Sequence, residues 1–148
     1  MFSELFAPVS IGVRTIAKTV RILERNQCLF CEFFKNKKIA AENDLAFAIF
    51  DGFPVNPGHV LVIPKRHVAN YFDLTTDEAL AIQDLLQRMK AEVDTKFHPD
   101  GYNVGVNVGA DAGQSVFHVH VHLIPRYKGD VKNPRGGVRG VIPSRQSY

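Results

Sequence analysis

The chain has 148 residues, 45% of them hydrophobic and 22% charged, with a formal net charge of +3. That length suits one domain, able to bury about two thirds of the surface its unfolded chain exposes. The small charge argues against a dedicated nucleic-acid binder, and the sequence holds no apolar run of membrane-spanning length, so neither a nucleic acid nor a membrane is the expected partner.

Residues 1–27 read as an N-terminal extension. Ile11, Ile16, Val20 and Leu23 recur at helical spacing with basic residues between them, which predicts a short amphipathic helix over 11–25 with Ser10 as its cap. Arg14, Lys18, Arg21 and Arg25 make mitochondrial import conceivable, but Glu4 and Glu24 argue against it. The only two cysteines, Cys28 and Cys31, are too few to staple a secreted scaffold of this size. Their C-x-x-C spacing points to metal or redox chemistry in a reducing compartment, so a cytoplasmic location is expected.

The stretch CLFCEFF leads into a charged loop over 35–44. LAFAIFD (45–51) reads as a strand, FPVNPG as a turn, and HVLVIP (59–64) as a second strand stopped by Pro64. Thr76 to Phe97 is the clearest helix, with Leu80, Ile82, Leu85, Leu86, Met89 and Val93 as its apolar stripe. Thr75 or Thr76 can cap it, and Asp77 and Glu78 suit its first turn. After the turn HPDG, YNVGVNV (102–108) and VFHVHVHLI (116–124) read as two more strands, the last ended by Pro125. Residues 126–148 carry six basic residues and one acidic one, and 131–148 read as a basic tail. Such a tail is either a solvated end or a contact: a lid over an anionic ligand, or a bridge across a dimer. Four strands and one long helix predict an α+β fold with an antiparallel meander.

His118, His120 and His122 alternate with Val119 and Val121, and three of the six histidines thus fall within five residues. In a strand such residues share one face. A chance surface cluster would look the same, and so would a metal site made of three imidazoles. The flanks favour catalysis. In GADAGQS, Gly109 and Gly113 let backbone approach a ligand, and Gln114 and Ser115 add side-chain donors. A phosphate held there would lie within reach of a nucleophilic imidazole, which is neutral near physiological pH.

The run His118-Val-His-Val-His-Leu-Ile, placed after GQSV and before PRYKGD, resembles the histidine-triad (HIT) family, as do Asp51 and PGHVLVIPKRH (57–67). The resemblance covers roughly residues 28–130. It implies a half-barrel antiparallel sheet with one long and one shorter helix, assembled as a homodimer. It implies that His120 attacks the α-phosphorus of a nucleotide while His118 and His122 support and orient. Gln114 and Ser115 would contact the phosphates and leaving group, Asp51 the ribose. Asn107 and His59 match positions near the phosphates and the triad, and Leu29, Phe30, Phe33 and Ile49 would form the base pocket, unless these apolar residues are simply core.

Several segments resemble the fragile-histidine-triad hydrolases of diadenosine polyphosphates. The cysteine pair instead resembles bacterial triad proteins and the galactose-phosphate uridylyltransferase branch. There, two cysteines bind zinc together with a histidine after the PK segment and the first triad histidine. Carried over, the ligands are Cys28, Cys31, His67 and His118, a closed Cys2His2 set typical of structural zinc. A thioredoxin-like pair or two buried thiols are the other readings of C-x-x-C. The resemblance thus implies a hydrolase of dinucleoside polyphosphates with no catalytic metal. A phosphoramidase, a nucleotidyl transferase, a nucleotide-binding module with little turnover and a metal buffer are the alternatives.

Overall fold

The computed structural model describes residues 28–148, so the helix expected over 11–25 lies outside the described residues. Helix α1 (Leu29–Lys35) is followed by β1 (Ala41–Glu42), β2 (Ala46–Phe50) and β3 (Val60–Pro64). The long helix α2 (Thr76–Phe97) comes next, then β4 (Gly101–Gly105) and β5 (Val121–Arg126). The strands form one antiparallel sheet in the order β1-β2-β3-β5-β4. The α+β expectation holds, with a fifth strand, β1, emerging from the charged loop. The shorter described helix is the CLFCEFF segment itself.

Each strand divides its side chains between two faces. Ala46, Ala48, Val60, Val62, Val121 and Leu123 pack against Ile82, Leu85, Leu86, Met89 and Val93 of α2. Phe47, Ile49, Leu61 and Ile63 point to the opposite face, where Phe30 of α1 covers them. With both faces of β2 and β3 covered, their sequences run apolar rather than alternating. Leu80 does not join the stripe and is 63% exposed. It precedes Ile82 by two residues, about 200° around the helix.

Helix α2 starts on a capping box: Thr75 accepts from the Glu78 N–H, and the Glu78 carboxylate accepts from the Thr75 N–H. Glu78 also takes a two-pronged bond from Arg66, at 2.7 Å on each oxygen. That pair ties the β3–α2 loop, which carries His67, to the helix.

The last strand starts later and ends later than expected. Only His122 of the three histidines lies in β5, whose ladder with β3 begins at Val121↔Val62. Continuing that register sets Val119 opposite Pro64, which has no N–H to offer. The chain answers with other bonds: the Val119 N–H donates to the Val68 carbonyl, and the His118 ring donates to the Pro64 carbonyl. At the other end Pro125 is inside β5 and pairs with Tyr102. The Pro125 carbonyl accepts from the Asn56 side chain, beyond the end of β3. Its nitrogen faces that same side, so no ladder bond is lost.

Residues 131–148 form two short 3-10 turns, Gly137–Val141 and Pro143–Arg145, rather than a formless end. Arg126 grips Asp130 through two nitrogens at 2.7 and 2.8 Å, fixing where this segment leaves the sheet. No helix among the described residues is long and apolar enough to cross a membrane.

Candidate active site

The three triad histidines occupy one face although only one of them is in a strand. Their rings form a row with neighbours at both ends. His67 lies 4.9 Å from His118, Phe30 lies between His118 and His120 at 6.0 and 5.1 Å, and His120 lies 5.1 Å from His122. His59 follows at 5.2 Å from His122. Val119 and Val121 are buried on the other side, as the alternation requires.

His120 is buried, and its Nδ1 lies 2.8 Å from the His118 carbonyl oxygen. A carbonyl can only accept, so Nδ1 carries the proton and Nε2 keeps its lone pair. The ring is therefore held in the tautomer a nucleophile needs. His59 and His122 set each other in the same way. The Val55 N–H donates to His59 Nδ1, so His59 donates from Nε2 to His122 Nδ1 at 3.0 Å. That leaves the proton of His122 on Nε2, a buried atom without a hydrogen-bond partner among the described residues. An unpaired buried donor is costly unless something fills it. Burial, then the neighbouring His120 and His59 rings, hold His122 down at about 4, so it is neutral at physiological pH. Burial likewise lowers His59, against the pull of Asp51.

Asp51, His59 and His122 lie close enough together to suggest a metal site. Both His59 nitrogens and His122 Nδ1 are already committed to hydrogen bonds. We therefore read His59 and His122 as a hydrogen-bonded pair; Asp51 lies 3.4 Å from His59 Nδ1, and its other oxygen accepts from the Phe53 N–H.

At the opposite end of the row, Cys28, Cys31, His67 and His118 converge. Cys28 Sγ is 3.3 Å and Cys31 Sγ 3.6 Å from His118 Nδ1, and Cys31 Sγ is 3.5 Å from His67 Nδ1. Sulfur and nitrogen ligands on a tetrahedral zinc ion, at about 2.3 and 2.0–2.1 Å, stand roughly 3.6 Å apart. His118 sends its Nε2–H to the Pro64 carbonyl at 2.8 Å, which frees Nδ1 as a lone-pair donor toward the thiols. The four residues fit a tetrahedral metal. Burial, then the adjacent Cys28, push the Cys31 thiol up to about 11, a penalty that a cation would reverse.

The glycine loop lies beside the row. Gly109 and Gly113 adopt φ values of +87° and +86°, where side chains are strained, on either side of a 3-10 turn over Ala110–Ala112. The Gln114 side chain is buried and braces this loop, accepting from the Gly109 N–H and donating to the carbonyls of Ala69 and Val116. Ser115 is exposed at its mouth. Asn107 joins His59, His122 and Asp51 around a cavity of about 460 Å3. Phe30 and Ile49 are buried, with Phe33 packed on them, whereas Leu29 is 39% exposed. Asn103 also lines the cavity, and Arg126 holds its side-chain oxygen at 2.6 Å. Sequence reading passed over Asn103, although Asn103-x-Gly105-x-Asn107 alternates as a one-face strand pattern.

A family model, the HIT domain, matches residues 33–129. The chain belongs to the HIT family. A HIT-like protein of Mycoplasma pneumoniae is 44% identical over 111 residues, covering 72% of this chain and 76% of that protein. A bis(5'-adenosyl)-triphosphatase of Dictyostelium discoideum is 41% identical over 67% of this chain and 66% of its own length. A zinc-bound HIT protein of Mycobacterium smegmatis superposes with a TM-score of 0.65 at 32% identity, over 72% of this chain and 79% of that one. The antiparallel sheet with its long and short helix is thus a HIT fold.

Proposed function

We propose that this HIT protein is a nucleotide hydrolase acting at the α-phosphate through a nucleotidyl-histidine, with dinucleoside polyphosphates as its substrates. The observation that carries this is the state of His120: buried, protonated on Nδ1 by its bond to the His118 carbonyl, with no hydrogen bond to Nε2 among the described residues. The reading is supported by the named activity of the Dictyostelium relative, a bis(5'-adenosyl)-triphosphatase.

In this account His120 Nε2 bonds to the α-phosphorus as the bond from phosphorus to the leaving oxygen breaks. The ring becomes positively charged, and the His118 carbonyl stabilises that charge through the Nδ1–H. The Nε2–H of His122, without a partner among the described residues, donates to a phosphoryl oxygen, and the Ser115 hydroxyl donates a hydrogen bond to the leaving oxygen, which departs as a phosphate anion. Water then cleaves the phosphorus–nitrogen bond, which splits one hard displacement into two easier ones. Gln114, Gly113 and Asn107 shape the phosphate cradle. Asp51 receives the ribose hydroxyls, and Phe30, Phe33, Ile49 and Leu29 receive the base. His59 holds the His122 tautomer.

Zinc is the metal that the Cys28, Cys31, His67 and His118 set suits, and a neighbouring fold in the family is zinc-bound. Bound there it supplies a cross-link between α1, the loop after β3 and the first triad histidine. The outer edge of β4, which has no strand partner among the described residues, supports assembly as a homodimer. The test of function is kcat/KM on diadenosine tetraphosphate, diadenosine triphosphate and adenosine 5'-phosphoramidate. Turnover of the dinucleotides, abolished in His120→Ala, is expected. A strong preference for the phosphoramidate would move the protein to the phosphoramidase branch.

A further inference from the structure

The net charge of +3 is an average over a segregated chain. Residues 131–148 hold Lys132, Arg135, Arg139 and Arg145 and no acidic residue, a charge of +4. Residues 1–27 hold four basic and two acidic residues, and residues 28–130 hold ten basic and 13 acidic ones, a charge of −3. The cationic segment lies beyond the matched HIT domain, which ends at residue 129. Its four basic side chains are exposed, and none of them enters an ion pair among the described residues. A low average charge argues against a nucleic-acid partner, but a cationic stretch set on one face does not.

The segment is folded rather than draped. Gly136 takes φ +90°, and a Cβ there would collide with the Gln146 carbonyl, so the chain turns back closely on itself. The Gln146 side chain donates to the carbonyl of Arg135 at 3.3 Å, and the Arg139 guanidinium donates to the carbonyl of Arg145 at 3.1 Å. The Arg126–Asp130 pair fixes where the segment leaves the sheet. Gly137 packs on β4, where a Cβ would stand 3.4 Å from the side-chain nitrogen of Asn103. The turn Gly137–Val141 also walls the cavity beside His122, which Val138 and Val141 line. The guanidinium groups of Arg135 and Arg139 lie 4.9 and 5.3 Å from the centre of one ring, that of Tyr148. Two like charges are thus held on one aromatic side chain, an arrangement that an anion between them relieves.

We propose that residues 131–148 bind single-stranded nucleic acid along the β4 side of the sheet. Charge alone would suit any polyanion, but the cations here are interleaved with exposed apolar side chains. Val131, Val138, Val141, Ile142 and Tyr148 stand among them, from 44% exposed at Val131 to 76% at Val141 and Tyr148. A single strand offers the matching alternation, phosphates for the cations and flat unpaired bases for the apolar side chains. Inorganic polyphosphate has no apolar face, and a duplex keeps its bases stacked inside. The proposal is independent of the hydrolase reading, since it concerns the segment that follows the HIT domain.

The test is fluorescence anisotropy of the full chain with a labelled oligothymidylate of about 20 nucleotides, longer than one site of roughly 4–16. Titrations between about 50 and 200 mM salt give the slope of log K against log salt, about −0.7 for each phosphate neutralised on a single strand. In Arg135→Gln/Arg139→Gln the affinity should fall at least tenfold, and the slope should become shallower by about 1.4, the share of two phosphates. Lys132→Gln/Arg145→Gln changes the two cations that do not face Tyr148, so it repeats the measurement with that contact kept. Lys35→Gln/Lys37→Gln removes the same charge beside β1, at the opposite edge of the sheet, and should stay within twofold of the parent. Three results would each overturn the proposal: no binding by the parent at the lowest salt, an equal loss in the variant beside β1, or affinity for inorganic polyphosphate equal to that for the strand.

Discussion

His120 donates its Nδ1–H to the main-chain carbonyl of His118 at 2.8 Å, while the His118 ring turns its Nδ1 to the thiols of Cys28 and Cys31 at 3.3 and 3.6 Å. One residue thus faces the two thiols with its side chain and fixes the His120 tautomer with its backbone. The Cys28, Cys31, His67 and His118 cluster and the His120 ring are neighbours in the structure.

Metal content and stability come first. The pure protein is expected to carry about one zinc per chain, the count for one closed tetrahedral site. Cys28→Ser should lose it and unfold at lower temperature, because a structural metal contributes folding free energy. Elemental analysis with thermal unfolding measures both. Metal-free native protein of unchanged stability would overturn the assignment.

Chelation separates a structural from a catalytic metal. Activity in a strong chelator should decline only as the fold is lost, and added Mg2+ should not be needed. A metal that generates the nucleophile would behave otherwise, with turnover stopping at once. Initial rates and near-ultraviolet circular dichroism followed together distinguish the two.

Acid should weaken the fold through His122. Its folded value of about 4 lies below its ordinary 6.5, so the native state prefers the neutral ring and the unfolded chain binds more protons. The stabilisation is whole above pH 6.5 and disappears as pH falls toward 4. In His122→Phe the fall in melting temperature between pH 6.5 and 4 should be shallower than in the parent. An identical slope would remove His122 from the account.

The loop that carries His67 hangs on Arg66 and Glu78. The Arg66 guanidinium beside it, with help from the Thr75 backbone, holds the Glu78 carboxyl down at about 2. Stability from this group is present above about pH 4.5 and is lost as pH falls toward 2. Arg66→Ala at neutral pH leaves a buried carboxylate without its partner, a loss on the order of 2–3 kcal/mol. Zinc should also be held less tightly, since His67 follows Arg66 directly. A stable variant with parental zinc affinity would contradict both statements.

The long helix was legible because its capping box and its apolar period agree, and Ile82 to Val93 are buried as that period requires. The histidine row was legible because alternation survives even where the ladder does not. The missing ladder at Val119 was not legible, since it depends on Pro64 arriving opposite in a register set by β3 and β5. Strand β1 is two residues long, too short for any period to show. The Cys28, Cys31, His67 and His118 set was supplied by resemblance, and spacing alone could not bring residues 28 and 118 together. The cavity wall was hidden because Val138 and Val141 belong to a segment without periodicity, placed by the distant Arg126–Asp130 pair.

The most direct test of the central claim is chemical capture of the intermediate. Native protein mixed with diadenosine tetraphosphate, quenched within milliseconds and digested under alkaline conditions should yield a peptide containing His120 that is heavier by one adenylyl group. The adduct should form and decay fast enough to account for steady-state turnover, and it should be absent from His120→Ala. Turnover at the parental rate in His120→Ala, or an adduct on another residue that matches the steady-state rate, would contradict the account.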